Sequence, residues 1–210
     1  MSFASVSFLL FFLVVLLLLL LVQRVLPFAE IKCRIICQGI LLIASYVFYG
    51  WWNMRLCLLL MGITWISFFT AVKKDEKHLR QSRISLLIGV GTPLAVLGIF
   101  KYYDFFVTSF CDVFHLTPGV LNLILPVGIS FYTFQALSYT IDVYTGKIEK
   151  EKSFLQFALY LSFFPQLVAG PIVKASEFLP QLKENRKVTL AGLESGIQIF
   201  VFGMFKKVVL

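Results

Sequence analysis

Charge is what this chain has least of. Only 14% of its 210 residues are Asp, Glu, Lys or Arg, whereas 59% are hydrophobic. A soluble domain has no use for that much apolar surface, and mean hydropathy is +0.88, so the composition excludes an ordinary globular protein. Histidine is rarer still, with two residues in the chain. His78 lies in a basic loop and His115 in a polar connection before Pro118-Gly119. Neither sits in an apolar helix where a buried base could be tuned. The four cysteines, Cys33, Cys37, Cys57 and Cys111, are scattered. They read as buried or lipid-facing thiols rather than as metal ligands or a disulfide. There is no G-x-S-x-G, phosphate loop, dinucleotide fingerprint or H-E-x-x-H. The sequence therefore assigns no catalytic residue and no metal ligand. Met1–Val22 also lacks a basic leader and a small-residue cleavage site, and its apolar run is too long for a signal peptide. It reads as a retained first helix.

What the chain does have is a series of long apolar runs. These are about Ser2–Val22, Ile35–Tyr49, Leu56–Val72, Ile84–Phe100, Leu121–Gly146, Phe154–Val173 and a last run from near Leu190. This pattern predicts an all-α, polytopic membrane helical bundle with about six to seven apolar helices. The net charge of +8 resides in short loops between the runs. That is the pattern of membrane topology rather than of nucleic-acid binding. Nothing marks a second domain, so 1–210 reads as a single membrane domain whose bilayer partner is lipid.

The loop at 73–83 carries the densest basic charge and is expected in the cytoplasm. Counting from it places the N-terminus outside, the 23–34 loop inside and the 101–120 connection outside. The helix from Leu121 then returns to the cytoplasm at Lys147, Lys150 and Lys152. Phe154–Val173 breaks the pattern because it contains Pro165, Gly170 and Pro171. A plain crossing would put Lys174, Lys183, Arg186 and Lys187 outside. A re-entrant or broken segment keeps them inside, and such backbone at membrane depth is tolerated only against protein or a cavity.

Leu121–Gly146 is apolar but not lipid-like all round. At 100° per residue, Gly128, Tyr132, Gln135, Tyr139 and Asp142 share one arc, with Phe134, Leu137 and Ile141 opposite. A stripe of hydroxyl, amide and carboxylate is costly against lipid. Two readings stand on spacing alone. One is interhelical hydrogen bonding with small residues Thr133, Ala136 and Thr140 permitting close packing. The other is the wall of a substrate passage, shaped with Pro165, Gly170 and Pro171.

Leu125–Ile148, LPVGISFYTFQALSYTIDVYTGKI, followed by Phe164–Leu182, FPQLVAGPIVKASEFLPQL, resembles the membrane-bound O-acyltransferases. The likeness is to the bacterial branch of alginate O-acetylation and teichoic-acid D-alanyl transfer. Ala44–Trp52, Gly98–Phe106 and Gly203–Leu210 echo the same family in the expected order. The resemblance implies a helical bundle around a passage in the bacterial cytoplasmic membrane. It implies transfer of an acyl group, often acetyl, from a cytoplasmic donor to a hydroxyl of an extracytoplasmic polysaccharide or envelope polymer. The donor would be acetyl-CoA or an acyl carrier acting as co-substrate, with no bound cofactor, and a partner acyltransferase can complete the transfer. The family's key histidine stands in a Trp-His-Gly context on a late apolar helix, where it acts as a general base. No Trp-His-Gly occurs here, and the family extends well past Leu210. The chain is thus expected to be the N-terminal part of a longer domain and inactive by itself. The alternative from another class is a transporter or carrier of a lipid-linked or acyl substrate, since broken helices with polar stripes also suit carriers.

Overall fold

The structure, a computed structural model, describes residues 5–25, 30–51, 53–72, 78–114, 126–167, 170–184 and 189–209. Among them all regular structure is helical. The elements are α1 (Val6–Val25), α2 (Glu30–Gly50), α3 (Met54–Thr70), α4 (Leu79–Phe114), α5 (Ile129–Tyr144), α6 (Phe154–Ser162), α7 (Phe164–Leu167), α8 (Ala175–Lys183) and α9 (Leu190–Val209). α1, α2 and α4 are long and apolar enough to cross a membrane. This is the expected all-α bundle.

α5 is the hub. It packs on α3, α4, α6 and α8, and Ile129, Tyr132, Thr133, Ala136, Tyr139, Thr140 and Val143 are buried. The small residues permit that closeness. A Cβ added to Gly89 of α4 would lie 2.5 Å from Thr70 Oγ1 and 2.9 Å from Thr140 Cγ2. Three helices thus meet where Gly89 has no side chain. Phe134 and Ile141, on the opposite side of α5, are exposed, as suits contact with lipid; Leu137, grouped with them by spacing, is buried.

Two boundaries differ most from the sequence expectation, while α2 and α4 each begin five residues earlier than expected, at Glu30 and Leu79. The run expected to stop at Lys101-Tyr102-Tyr103-Asp104 continues as one helix to Phe114, 36 residues in all. That is about 54 Å of helix, against about 30 Å of bilayer hydrocarbon. One lysine and one aspartate are not helix breakers, and no Gly or Pro follows Gly98 before the helix ends. The second correction concerns the start of α5. Residues 121–125 lie outside the described residues, and the helix begins only at Ile129. Gly128 precedes it in the left-handed region (φ 77°) as its N-cap. Gly128 is therefore the entry turn of α5, not a member of its polar stripe.

Phe154–Val173 is broken as expected. Ser153 caps α6, its Oγ accepting from Gln156 N–H at 3.4 Å. The helix stops at Phe163, two residues before Pro165, whose ring would clash with an extended α6. α7 follows, with Phe164 N–H donating to Ser45 Oγ of α2 at 3.2 Å. Phe164 then closes an aromatic cluster with Phe8, Phe11 and Phe48, its ring centroid 5.4 Å from Phe11 and 5.7 Å from Phe48. The chain returns through α8, where Lys183 Nζ reaches Glu151 Oε2 at 2.8 Å.

The segment therefore leaves from Glu151 and comes back to it. Its tip touches α2 at Phe48 and its return end touches α2 at Arg34. Those points are about 21 Å apart along the helix. α6, α7 and α8 form a hairpin that penetrates most of the bundle without crossing it.

The entry turn and the hairpin tip are in contact. A Cβ on Gly128 would lie 2.3 Å from the Leu167 carbonyl oxygen. Gly128→Ala combines a disfavoured backbone region with that clash, and is expected to destabilise the protein by about 2–4 kcal/mol. Thermal unfolding in detergent checks this, and an unchanged midpoint would refute it.

Candidate functional site

The polar stripe of α5 faces protein. Tyr132 and Tyr139 are fully buried and Gln135 is 4% exposed. Asp142 sits at the margin, 3.5 Å from Lys147 Nζ and 3.5 Å from Ser138 Oγ, which donates to it. Among the broken-segment residues, Pro165 and Pro171 are exposed and Gly170 is half-buried. Gly170 N–H donates to Gln166 O at 3.0 Å. The stripe and the break are joined by a residue that spacing did not single out. Tyr160 of α6 donates its hydroxyl to Val173 O at 3.0 Å and lies 3.5 Å from Gln135 O.

Tyr139 belongs to a second junction. Its hydroxyl oxygen accepts from Glu151 N–H at 3.0 Å, and its ring packs on Phe157 with centroids 4.5 Å apart. The Glu151 carboxylate, 6% exposed, accepts from Lys152 N–H at 2.9 Å and Ser153 N–H at 3.1 Å and pairs with Lys183. Burial alone would raise its pKa. The Lys183 ammonium and the two N–H donors outweigh that and hold the carboxyl below the usual carboxylate range. Next to it, burial lowers the Lys150 ammonium, whose Nζ stands 5.5 Å from the Phe68 ring centroid. The end of α8 is held from the other side. Gln38 Nε2 donates to Leu182 O at 2.7 Å and Arg34 Nη1 donates to Lys183 O at 2.5 Å. These bonds satisfy carbonyls that a helix end leaves open.

Glu151, Arg34, Gln38 and Lys183 were not legible as site residues. Lys150-Glu151-Lys152 reads as a solvated run, and only the Ser153-x-x-Gln156 cap signal marks the spot. His78 is exposed at the start of α4. His115, Arg186 and Lys187 lie outside the described residues. Cys33 and Cys37 are half-buried, Cys57 and Cys111 buried, and all are free thiols. Among the described residues no three His, Cys, Asp or Glu gather as a metal site. An open apolar groove at Phe106, Val107, Ser109, Phe110 and Cys111 is lined by α4 alone and holds no chemistry.

Buried hydroxyls elsewhere are satisfied on their own helices. Ser45, Thr64, Thr70, Thr140 and Ser162 each donate to the carbonyl four residues back. The Tyr49 and Tyr132 hydroxyls face each other. Thr133 Oγ1, Ser67 Oγ and Gln166 Oε1 are buried with no hydrogen-bond partner among the described residues. Such a group costs about 1–3 kcal/mol in the folded state.

The Glu151 contribution has a defined pH sign. A carboxyl held low stabilises fully above its unfolded value, and that stability is lost as pH falls through the folded value. Acidification below about pH 4 should therefore lower the unfolding midpoint. Glu151→Gln should remove this acid dependence and cost about 1–2 kcal/mol at neutral pH, less than a fully buried pair because Lys183 is open to solvent. Equal acid sensitivity in the variant would contradict this assignment.

Known proteins resemble the chain over most of its length. It is 38% identical over 175 residues to a protein of Pseudomonas putida named probable alginate O-acetylase, covering 80% of this chain and 36% of that protein. It is 36% identical over 197 residues to the peptidoglycan O-acetyltransferase of Helicobacter pylori, covering 81% of this chain and 37% of that one. A probable alginate O-acetylase of Azotobacter vinelandii is 35% identical over 175 residues, covering 80% and 35%. The chain thus spans about a third of the length of these curated relatives. No family model matches it, and no solved structure does.

Proposed function

The chain belongs to the membrane-bound O-acyltransferase family, and from that premise we propose that it forms part of an enzyme acylating hydroxyls of an extracytoplasmic polysaccharide or envelope polymer. It is a multi-pass membrane protein. In this reading it lies in the bacterial cytoplasmic membrane with its N-terminus outside. The Glu151–Lys183 end faces the cytoplasm and the Tyr49–Gly128 end faces outward. The donor is acetyl-CoA or an acyl carrier, and the acetyl group is the one the relatives' names support. A partner acyltransferase is the natural recipient where transfer is relayed.

The observation that carries this reading is the identity of 38% over 80% of the chain. The hairpin adds physical support. Broken backbone at depth belongs where it is packed on protein or borders a route. Here Tyr160 connects that backbone to the α5 stripe. Tyr132, Gln135, Tyr139 and Asp142, with Pro165, Gly170 and Pro171, are the proposed wall and bend of a substrate passage. Tyr139 has a structural duty as well, since it seats Glu151.

An acyl transfer needs a positioned base and a stabilised oxyanion. The sequence holds no Trp-His-Gly, so the 1–210 chain is expected to show no acyl transfer when purified. Detectable turnover would overturn that. In the complete protein, Gln135→Leu is expected to lower acyl transfer about tenfold or more at unchanged expression. Full activity would assign Gln135 to packing alone.

A further inference from the structure

α4 is longer than the bundle it belongs to. Gly89 sits against Thr70, the last residue of α3, and the short connection between the two helices makes them antiparallel. From Thr70 back to Met54, where α3 begins, is sixteen residues, and the same distance along α4 leads from Gly89 to Phe105. The turn at that level carries Trp51, exposed as an interfacial tryptophan is. The stretch from Phe106 to Phe114 therefore extends about 13 Å past the start of α3.

This extension is inside-out for a helix in water, which turns its polar residues outward. Tyr102, Phe105, Phe106, Phe110, Val113 and Phe114 are exposed. Asp104 and Thr108 are half-buried and Cys111 is buried, with Thr108 Oγ1 donating to the Asp104 carbonyl. At 100° per residue, Asp104, Thr108 and Cys111 continue the buried side of Pro93 and Leu97. Tyr102, Phe105, Phe106 and Val113 fall within the arc of the exposed residues Leu87, Ile88, Leu94 and Ile99, and Phe110 borders it. The lipid-facing stripe of the membrane span thus runs on without changing side. From Ile84 to Phe114 it is about 45 Å long, against about 30 Å of hydrocarbon and about 40–45 Å of bilayer with its headgroup layers.

We propose that the segment from Tyr102 to Phe114 is a lipid anchor, its aromatic face docked in the headgroup and upper acyl region of the leaflet at the Gly128 end. The occupant is lipid because this face is continuous with one that already meets lipid. Exposed charge, at Lys101 and Asp112, is confined to the edge of the arc. Lys101 Nζ stands 5.3 Å from the Tyr102 ring centroid, a cation-over-ring pairing suited to the headgroup level. The groove beside Phe106 and Phe110 has one hydroxyl, Ser109, in an otherwise apolar lining. A helix longer than the hydrocarbon fits by tilting or bending, and Pro93, inside α4, supplies a place to bend. Calling this leaflet the outer one follows the topology proposed above. Contact with lipid depends neither on that topology nor on the acyltransferase reading.

The test uses the full-length protein in vesicles of phosphatidylethanolamine and phosphatidylglycerol. Phe106 and Phe110 are each replaced by p-benzoylphenylalanine, which on illumination bonds to the C–H group lying against it. Leu94, on the lipid-facing side of the span, and His78, exposed at the start of α4, are replaced in the same way as references. Phospholipid adduct at Phe106 and Phe110 is expected within about twofold of the Leu94 yield and about fivefold or more above that at His78. A yield nearer to that of His78 puts the face in water and overturns the anchor. A crosslinked peptide in place of phospholipid shows a protein cover and overturns it as well. All four positions are exposed, so the replacements leave the packing alone, and matching unfolding midpoints check that each variant is folded. No turnover is measured, so failure of the anchor and failure of the function reading register separately.

Discussion

The broken backbone between Phe163 and Val173 must find hydrogen-bond partners far from water, and much of the bundle is arranged to meet that need. A continuous helix would satisfy itself. Pro165 forbids one, so the partners are side chains on neighbouring elements. Ser45 takes the N–H of Phe164, and Tyr160 serves the carbonyl of Val173. Gln38 and Arg34 serve the last carbonyls of α8. This explains a polar residue in α2, Gln38, which is 4% exposed and would otherwise be a liability in an apolar helix.

Much of this was legible from residue order. The apolar runs mark the helices, and Pro165, Gly170 and Pro171 mark the break, because each acts through local backbone chemistry. The buried face of α5 was also legible, since a period of 3.6 places Tyr132, Gln135 and Tyr139 together. What those residues touch was not. Glu151 was not singled out, because its partner Lys183 is distant in sequence and close only after the hairpin turns back. Tyr49 gave no signal for the same reason, its counterpart being Tyr132 on another helix. The α4 end was misplaced because two charges were read as a boundary, although the helix has no breaker there. Gly128 was misplaced because a wheel projection assumes helical backbone throughout.

The interior shows a gradient in how polar groups are handled. Toward the Glu151 end, hydroxyl, carboxylate and carbonyl groups are interlocked, and the junction ties α5, α6 and α8 together. Toward the Gly128 end the contacts are aromatic edges and close backbone approach.

The hairpin also has a consequence for biogenesis. In the proposed topology, a segment whose two ends meet at Glu151 and Lys183 carries no charged loop across the bilayer. Nor can α6 and α7 be released to lipid alone, because the Phe164 N–H at the break meets its partner, Ser45 Oγ, only inside the bundle. α6 to α8 therefore take their packing and hydrogen-bond partners from α1, α2, α3 and α5. The broken element thus sits in a cleft whose walls are all formed by helices that precede it in the chain.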